Sequence, residues 1–254
     1  IRDVAVTGVQ TCALPISSLC DVVSGNLPRL GISNANVVCA EAEDSLATMP
    51  QQTMLFLDPA RRDEHGAKTV LMADCTPDVC RLLPQLMSKA RFVMLKLSPM
   101  LDWHKAIADL KETVDEVHIV SVGGECKELL LVLAGKVSVS SVDSGSLENW
   151  VRVYCVDIMP KAEADGEYKR SEFCYTIGGA ADNPPIPSTL NSQLSTLNSQ
   201  FLFEPNASIM KAGCFAELSQ AYGVEAIGPN SHLFVSSGRV EQFPGREFAI
   251  EAVC

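Results

Sequence analysis

The sequence predicts an α/β protein: a doubly wound, mainly parallel sheet with an antiparallel edge strand, followed by a small α+β unit. Three observations predict it. Short apolar runs that read as buried strands, "NVVCA", "TMLFLD" and "RFVMLKLSP", alternate with stretches at helical spacing, the rhythm of βαβ units. Pro59 and Pro99 close two of those runs, and a proline cannot continue a ladder. "EVHIVSV" and "ELLLVLAG" are joined only by "GGECK", too short for a crossover helix, so this last pair is antiparallel.

Taken in order, Leu19, Val22, Val23, Leu27 and Leu30 fall near helical spacing, and Gly31 is a plausible stop. Upstream of them, "VTGVQTCALPIS" shows neither alternation nor helical period and is expected to form no first strand. Thr76-Pro77-Asp78 reads as an N-cap and first turn, and Pro84 is expected to split the helix that follows. "LDWHKAIADLKETV" is an amphipathic helix. "SVGGEC" falls between two edge strands rather than before a helix, so it is not a phosphate loop. Ligands of doubly wound sheets bind at the carboxyl ends of the strands, which places Glu41, Asp58 and Pro99 on one rim.

After Gly135 the chain becomes more polar, and residues 137–187 read as a connecting, strand-rich segment. Residues 188–200 hold a tandem copy of "STLNSQ" beside a proline-rich stretch. With almost nothing apolar to bury, they read as a flexible linker. A small unit over 201–245 follows: a helix "NASIMKAGCFAELSQAY" stopped by Gly223, then strands near "VEAI", "HLFVSS" and "REFAIEAV". A unit of about fifty residues is marginal alone and is expected to lean on a neighbour.

With 254 residues and 47% apolar content, the chain can bury one full core and a second small one. Its net charge of −11 argues against a broad, non-specific grip on nucleic acid while leaving room for a local basic groove. The ten cysteines are scattered through apolar stretches such as "VRVYCVDI", which reads as reduced thiols in a cytoplasmic protein rather than a disulfide framework. No run approaches a membrane span, and the start lacks the pattern of a secretory signal. Cys75 and Cys80 are spaced wrongly for a zinc knuckle, and His65, His104, His118 and His232 are dispersed, so no metal site is expected.

The sharpest chemical signal is "LFLDPARR". A carboxylate followed by a rigid proline at a strand end fixes the Asp58 side chain and nearby backbone carbonyls as acceptors facing a pocket, which suits gripping and aiming an amino group. The competing reading is that Asp-Pro merely ends a strand and opens a turn. Lys96 and Asp102 flank the next strand end and could line the same pocket; a snorkelling lysine and a helix-capping aspartate are the plainer readings. Glu125, Lys127 and Glu128 read as a solvated turn.

"GNLPRLGISNANVVCAEAEDSL", "LFLDPARR", "FVMLKLSPMLDW" and "EVHIVSVGGECKELLLVL", in that order, resemble the later part of a class I S-adenosylmethionine-dependent methyltransferase with a Rossmann-like sheet. "FLFEPNASIMKAGCFAEL" and "GPNSHLFVSSGRVEQFPGREFAIE" narrow the resemblance to a Bacteroidetes family that joins this domain to a ferredoxin-like domain and a C-terminal THUMP-like domain. The resemblance implies S-adenosyl-L-methionine as cofactor, RNA as substrate and methyl transfer without a covalent enzyme intermediate. It sets Asp58, Pro59, Ala60 and Arg61 in the catalytic loop. Glu41 falls at the acidic position that bonds the adenine amino group, with Glu43 or Asp44 as alternatives; equally, "EAED" can be an acidic run capping the next helix. Amino-methylating relatives place an aromatic residue where this chain has Arg61, which leaves the target atom open. "DPAR" is also similar to the uracil-C5 methyltransferases, but "LKLSPMLDW" lacks their cysteine nucleophile.

The implied organisation is a partial methyltransferase domain over 17–136, the small domain over 201–245 and the start of a THUMP-like domain at 246–254. The glycine-rich cofactor loop should have stood where residues 1–16 are. Val6 through Ile16 back-translate, codon for codon, into a sequence resembling a sequencing-library adapter, so residues 1–16 are expected to be non-native. The alternative to an enzyme is a non-catalytic module that binds RNA or protein on a degenerate methyltransferase scaffold.

Overall fold

The computed structural model describes residues 10–60, 72, 75–135, 150–160, 168–178, 200–229 and 231–251. The linker expected over 188–200 lies outside the described residues except for Gln200.

The chain enters through strand β1 (Gln10–Leu14), helix α1 (Ser17–Arg29) and strand β2 (Ala35–Cys39). β1 and β2 form a parallel pair with Cys12 opposite Val37. The expectation that this stretch forms no strand is therefore corrected for Gln10–Leu14. "QTCAL" carries no charge and no proline, so its main chain can pair wherever β2 offers an edge, without a patterned face of its own. Gly31 ends the helix region with a positive φ of 71°, as its type suggests.

Helix α2 (Ala42–Thr48) leads to β3 (Gln52–Leu57), the first strand of a six-stranded sheet ordered β3-β4-β6-β5-β7-β8. The remaining strands are β4 (Ala90–Leu97), β5 (Val114–Val122), β6 (Glu125–Ala134), β7 (Val151–Pro160) and β8 (Tyr168–Ile177). Helix α3 (Val79–Lys89) joins β3 to β4, and α4 (Trp103–Leu110) with a short 3-10 turn joins β4 to β5. β3–β4 and β5–β7 are parallel. β6 runs antiparallel between β4 and β5, and β8 supplies the antiparallel edge. The β5–β6 hairpin is thus internal, because β7 and β8 add outside it. Its turn is Gly123-Gly124 alone, both at positive φ (59° and 85°), the two-residue geometry that favours glycine.

Pro84 does not split α3, which runs unbroken from Val79 to Lys89. Its missing N–H removes one helical bond, but Leu82 and Leu86 on either side are buried against the sheet and hold the turn. Asp78 caps the helix by accepting from the Arg81 amide. The core lies where α3 and α4 meet one face of the sheet, around Leu95, Leu131, Val117, Ile119 and Val153.

The small unit comprises β9 (Phe201–Pro205), α5 (Ala207–Ala212), α6 (Phe215–Tyr222), β10 (Glu225–Ala226), β11 (Phe234–Ser236) and β12 (Gly245–Ala249). Its antiparallel sheet is ordered β10-β11-β9-β12. The single helix expected over "NASIMKAGCFAELSQAY" is two, because Gly213 adopts φ +71° and caps α5; Gly223 ends α6 in the same left-handed region. The unit does lean on its neighbour. Ile209, Ala212 and Cys214 are buried in the same core as the large sheet, and the Cys214 sulfur lies 4.0 Å from that of Cys155 on β7.

Candidate functional site

β3 and β4 lie side by side and parallel, so their carboxyl ends share a rim. Asp58-Pro59 ends the first and Ser98-Pro99 the second, and a small cleft of about 60 Å³ opens between them. The main chain beyond Pro59 is held by a two-bond bridge. The Ala60 amide donates to the Thr76 carbonyl (2.8 Å) and the Thr76 amide donates back (3.0 Å). Pro59 is buried, whereas the Asp58 side chain is 55% exposed and free to meet a ligand on its open side.

Lys96, near the end of β4, organises the charges. Its ammonium lies 3.0 Å from the Asp58 carboxylate and 3.5 Å from that of Glu128, which arrives on β6. The hydrogen bond to Asp58 holds the Lys96 pKa above the ordinary lysine value, with Glu128 adding to the effect against a smaller opposing effect of burial. Lys127 also lines the cleft and pairs with Glu125. Ser98 is buried beneath, its hydroxyl accepting from the Met100 amide at 3.2 Å. The cleft therefore presents a half-exposed carboxylate beside an ammonium already neutralised by two acids. That arrangement leaves one negative charge over Asp58, Lys96 and Glu128 and can accept hydrogen bonds from a polar group of a ligand.

Of the residues that sequence reasoning places here, Asp58, Pro59 and Pro99 line the cleft. Ala60 is exposed and holds the loop through its bridge, and Arg61 lies outside the described residues. Glu41 is not brought to the cleft. It stands at the N-cap position of α2 without a side-chain capping bond, while Glu43 pairs with Arg81 at 2.9 Å and Asp44 stands in the same first turn, so the acidic run sits at a helix start. Asp102 is a helix cap as expected, accepting from the His104 and Lys105 amides. Lys96 departs from its plainer reading: it is ion-paired rather than snorkelling. Glu128 and Lys127 also leave the solvated turn and join the cleft. Glu128 was the residue to find. The Gly-Gly turn fixes the hairpin register, but nothing in the local sequence announces that β6 inserts beside β4.

A family model for a ferredoxin-like domain matches residues 201–244. The chain carries a ferredoxin-like domain. No curated protein matches the sequence. Among solved structures, the chain is similar to a putative methyltransferase from Porphyromonas gingivalis W83, with a TM-score of 0.71 and 22% identity over 95% of this chain. The chain spans 55% of that protein's length. The mixed six-stranded sheet with a small α+β domain behind it is the fold the two share. Among the described residues no helix is long and apolar enough to cross a membrane.

S-adenosylmethionine is the cofactor such a fold suggests, and the described residues do not fit it. The cleft of about 60 Å³ is far below the roughly 300–1,000 Å³ of small-molecule sites. The turn from β1 into α1 is Pro15-Ile16, without a glycine to let backbone amides approach a ligand.

Proposed function

We propose that this chain is the acceptor side of an S-adenosylmethionine-dependent methyltransferase acting on RNA, without the glycine-rich loop that holds the cofactor. The carrying observation is the position of Asp58-Pro59, at the carboxyl end of β3 beside the carboxyl end of β4, in a sheet shared with a methyltransferase-like fold. Asp58 accepts from the acceptor's polar group, and the bridged backbone after Pro59 keeps the loop from drifting. Lys96 sets the carboxylate's orientation, and Glu128 shares the lysine so that Asp58 is not locked by it. Positioning of this kind is worth at least about a hundredfold in rate when it is lost.

Support for RNA comes from the sequence resemblance to a family with a THUMP-like domain; cytoplasmic location follows from the same reading and from the scattered cysteines. The adapter-like codons of Val6 through Ile16 support the reading that β1 occupies ground where another segment belongs. The experiment joins residues 17–254 to the segment encoded upstream of them in the source genome and follows tritiated methyl transfer from S-adenosylmethionine to bulk RNA. Transfer that falls at least about a hundredfold with Asp58→Ala supports the proposal. An upstream segment with no glycine-rich strand-turn-helix, and a product without activity, would favour the binding module instead.

A further inference from the structure

Two thiols meet where the small domain rests on the large sheet. Cys155 lies in the middle of β7, within the core, and Cys214 is the residue from which α6 starts. Both are free thiols, at 0% and 3% exposure, and their sulfurs are 4.0 Å apart. The two cysteines stand 59 positions apart in the chain and belong to different units. Cys174 on β8 is opposite Tyr154 rather than Cys155, a register that turns it to the other face of the sheet. The hydrogen bond between the two thiols, together with burial, pushes the Cys155 pKa far above the ordinary thiol value. Burial above all raises the Tyr175 pKa as well, and its hydroxyl shares a hydrogen bond with Cys214. While the domain is docked, the pair keeps its protons and is inert, because the thiolate is the reactive form. Ile209 and Ala212 of α5 are buried in the same joint, so the thiols meet solvent only when the small domain lifts.

We propose that Cys155 and Cys214 are a latent redox lock between the small domain and the sheet, set by hydrogen peroxide. In the lifted state the Cys214 thiolate attacks the peroxide, breaking its O–O bond. The sulfur is oxidised to a sulfenic acid and hydroxide leaves, to be protonated to water. Redocking returns that sulfur to Cys155, whose thiol forms the S–S bond, gives up its proton and expels a second water. Two thiols thus lose two protons and two electrons, and peroxide ends as two waters. The sulfurs have about 2 Å to close, so the bond calls for side-chain rotation rather than a rearrangement of the two units. Once formed, it ties α6 to β7 across 59 positions of sequence and removes the freedom of the small domain to lift. The inference is independent of the chemistry proposed at the cleft.

The test exposes the reduced whole chain, dilute and freed of reductant, to hydrogen peroxide and maps its disulfides by mass spectrometry of the digested protein. A peptide holding Cys155 joined to one holding Cys214 is expected. It should form at least about threefold faster in urea below the unfolding transition, because urea populates the lifted state. The oxidised chain should melt at least about 5 °C higher, a shift that dithiothreitol reverses. Cys214→Ala and, from the other side of the joint, Cys155→Ala should each abolish the linked peptide and the shift; the unmodified chain decides the matter by itself if either variant fails to fold. Recovery of Cys155 and Cys214 as separate thiols or sulfinic acids overturns the proposal. So does a linked peptide that leaves the melting temperature unchanged, a rate that ignores urea, or a shift that persists in Cys214→Ala.

Discussion

The two ends of this chain use the same ingredients with opposite results. The β1-α1-β2 unit has a helix, two strands and ample valine and leucine, yet Cys20 is the only buried residue in α1, and Leu19, Val22, Leu30 and Val38 are exposed. In the small domain at the other end, by contrast, Phe203, Ile209, Leu218 and Phe234 are fully buried. Aromatic contacts such as Phe203–Phe243, with ring centroids 4.9 Å apart, knit it together. Apolar content is similar in the two; what differs is access to a shared core. The small domain sets α5 on the large sheet, whereas among the described residues the strands of the first unit pair with each other and not with that sheet.

Ile209→Ala should break that comparison most strongly. It opens a cavity where the small domain meets the sheet and should cost about 2–5 kcal/mol, with both regions melting in one transition by calorimetry. Leu19→Ala, equally apolar but exposed, should stay within about 0.5 kcal/mol in the same assay. Next in size is Gly245→Ala. A Cβ there would stand 2.1 Å from the Glu204 carbonyl oxygen and 2.8 Å from the Pro205 Cα, both backbone atoms that cannot swing away, so denaturant melts should show a loss of about 1–3 kcal/mol. Asp102→Ala removes the acceptor for two amides at the start of α4 and should cost about 1 kcal/mol by thermal unfolding.

The smallest effect is a pH slope. His104 stacks on Trp103 with ring centroids 3.6 Å apart, and burial lowers its pKa below the ordinary 6.5, with Lys211 acting in the same direction and Asp102 opposing. The folded state therefore prefers the neutral ring. Its contribution is complete above about pH 6.5 and is lost as pH falls towards the lower folded value. His104→Gln should flatten that part of the stability curve, read from melting temperatures across the acid range.

Much of the architecture was legible because its signals are local. Pro59 and Pro99 marked strand ends, Gly31 and Gly223 marked helix stops, and Asp78 and Asp102 sit at the caps their types favour. The errors came from non-local packing. Pro84 should have broken α3, but burial of Leu82 and Leu86 outweighs one lost bond. Gly213 looked like an interior helical residue until its left-handed φ divided α5 from α6. At the site, Asp58 was visible as a strand-end carboxylate and Lys96 as a residue able to line the same pocket, while the arrival of Glu128 at Lys96 depends on β6 inserting beside β4, which no short motif encodes. Glu41 stands at the start of α2, the place in the fold that its acidic run also suggested.

The account rests on an acceptor rim without a donor grip, and titration calorimetry of S-adenosylmethionine into the whole chain tests that most directly. It predicts no saturable heat at micromolar ligand, with the Asp58→Ala chain indistinguishable from the unmodified one. Stoichiometric micromolar binding would contradict it, because the described residues would then hold a cofactor for which their cleft has no room.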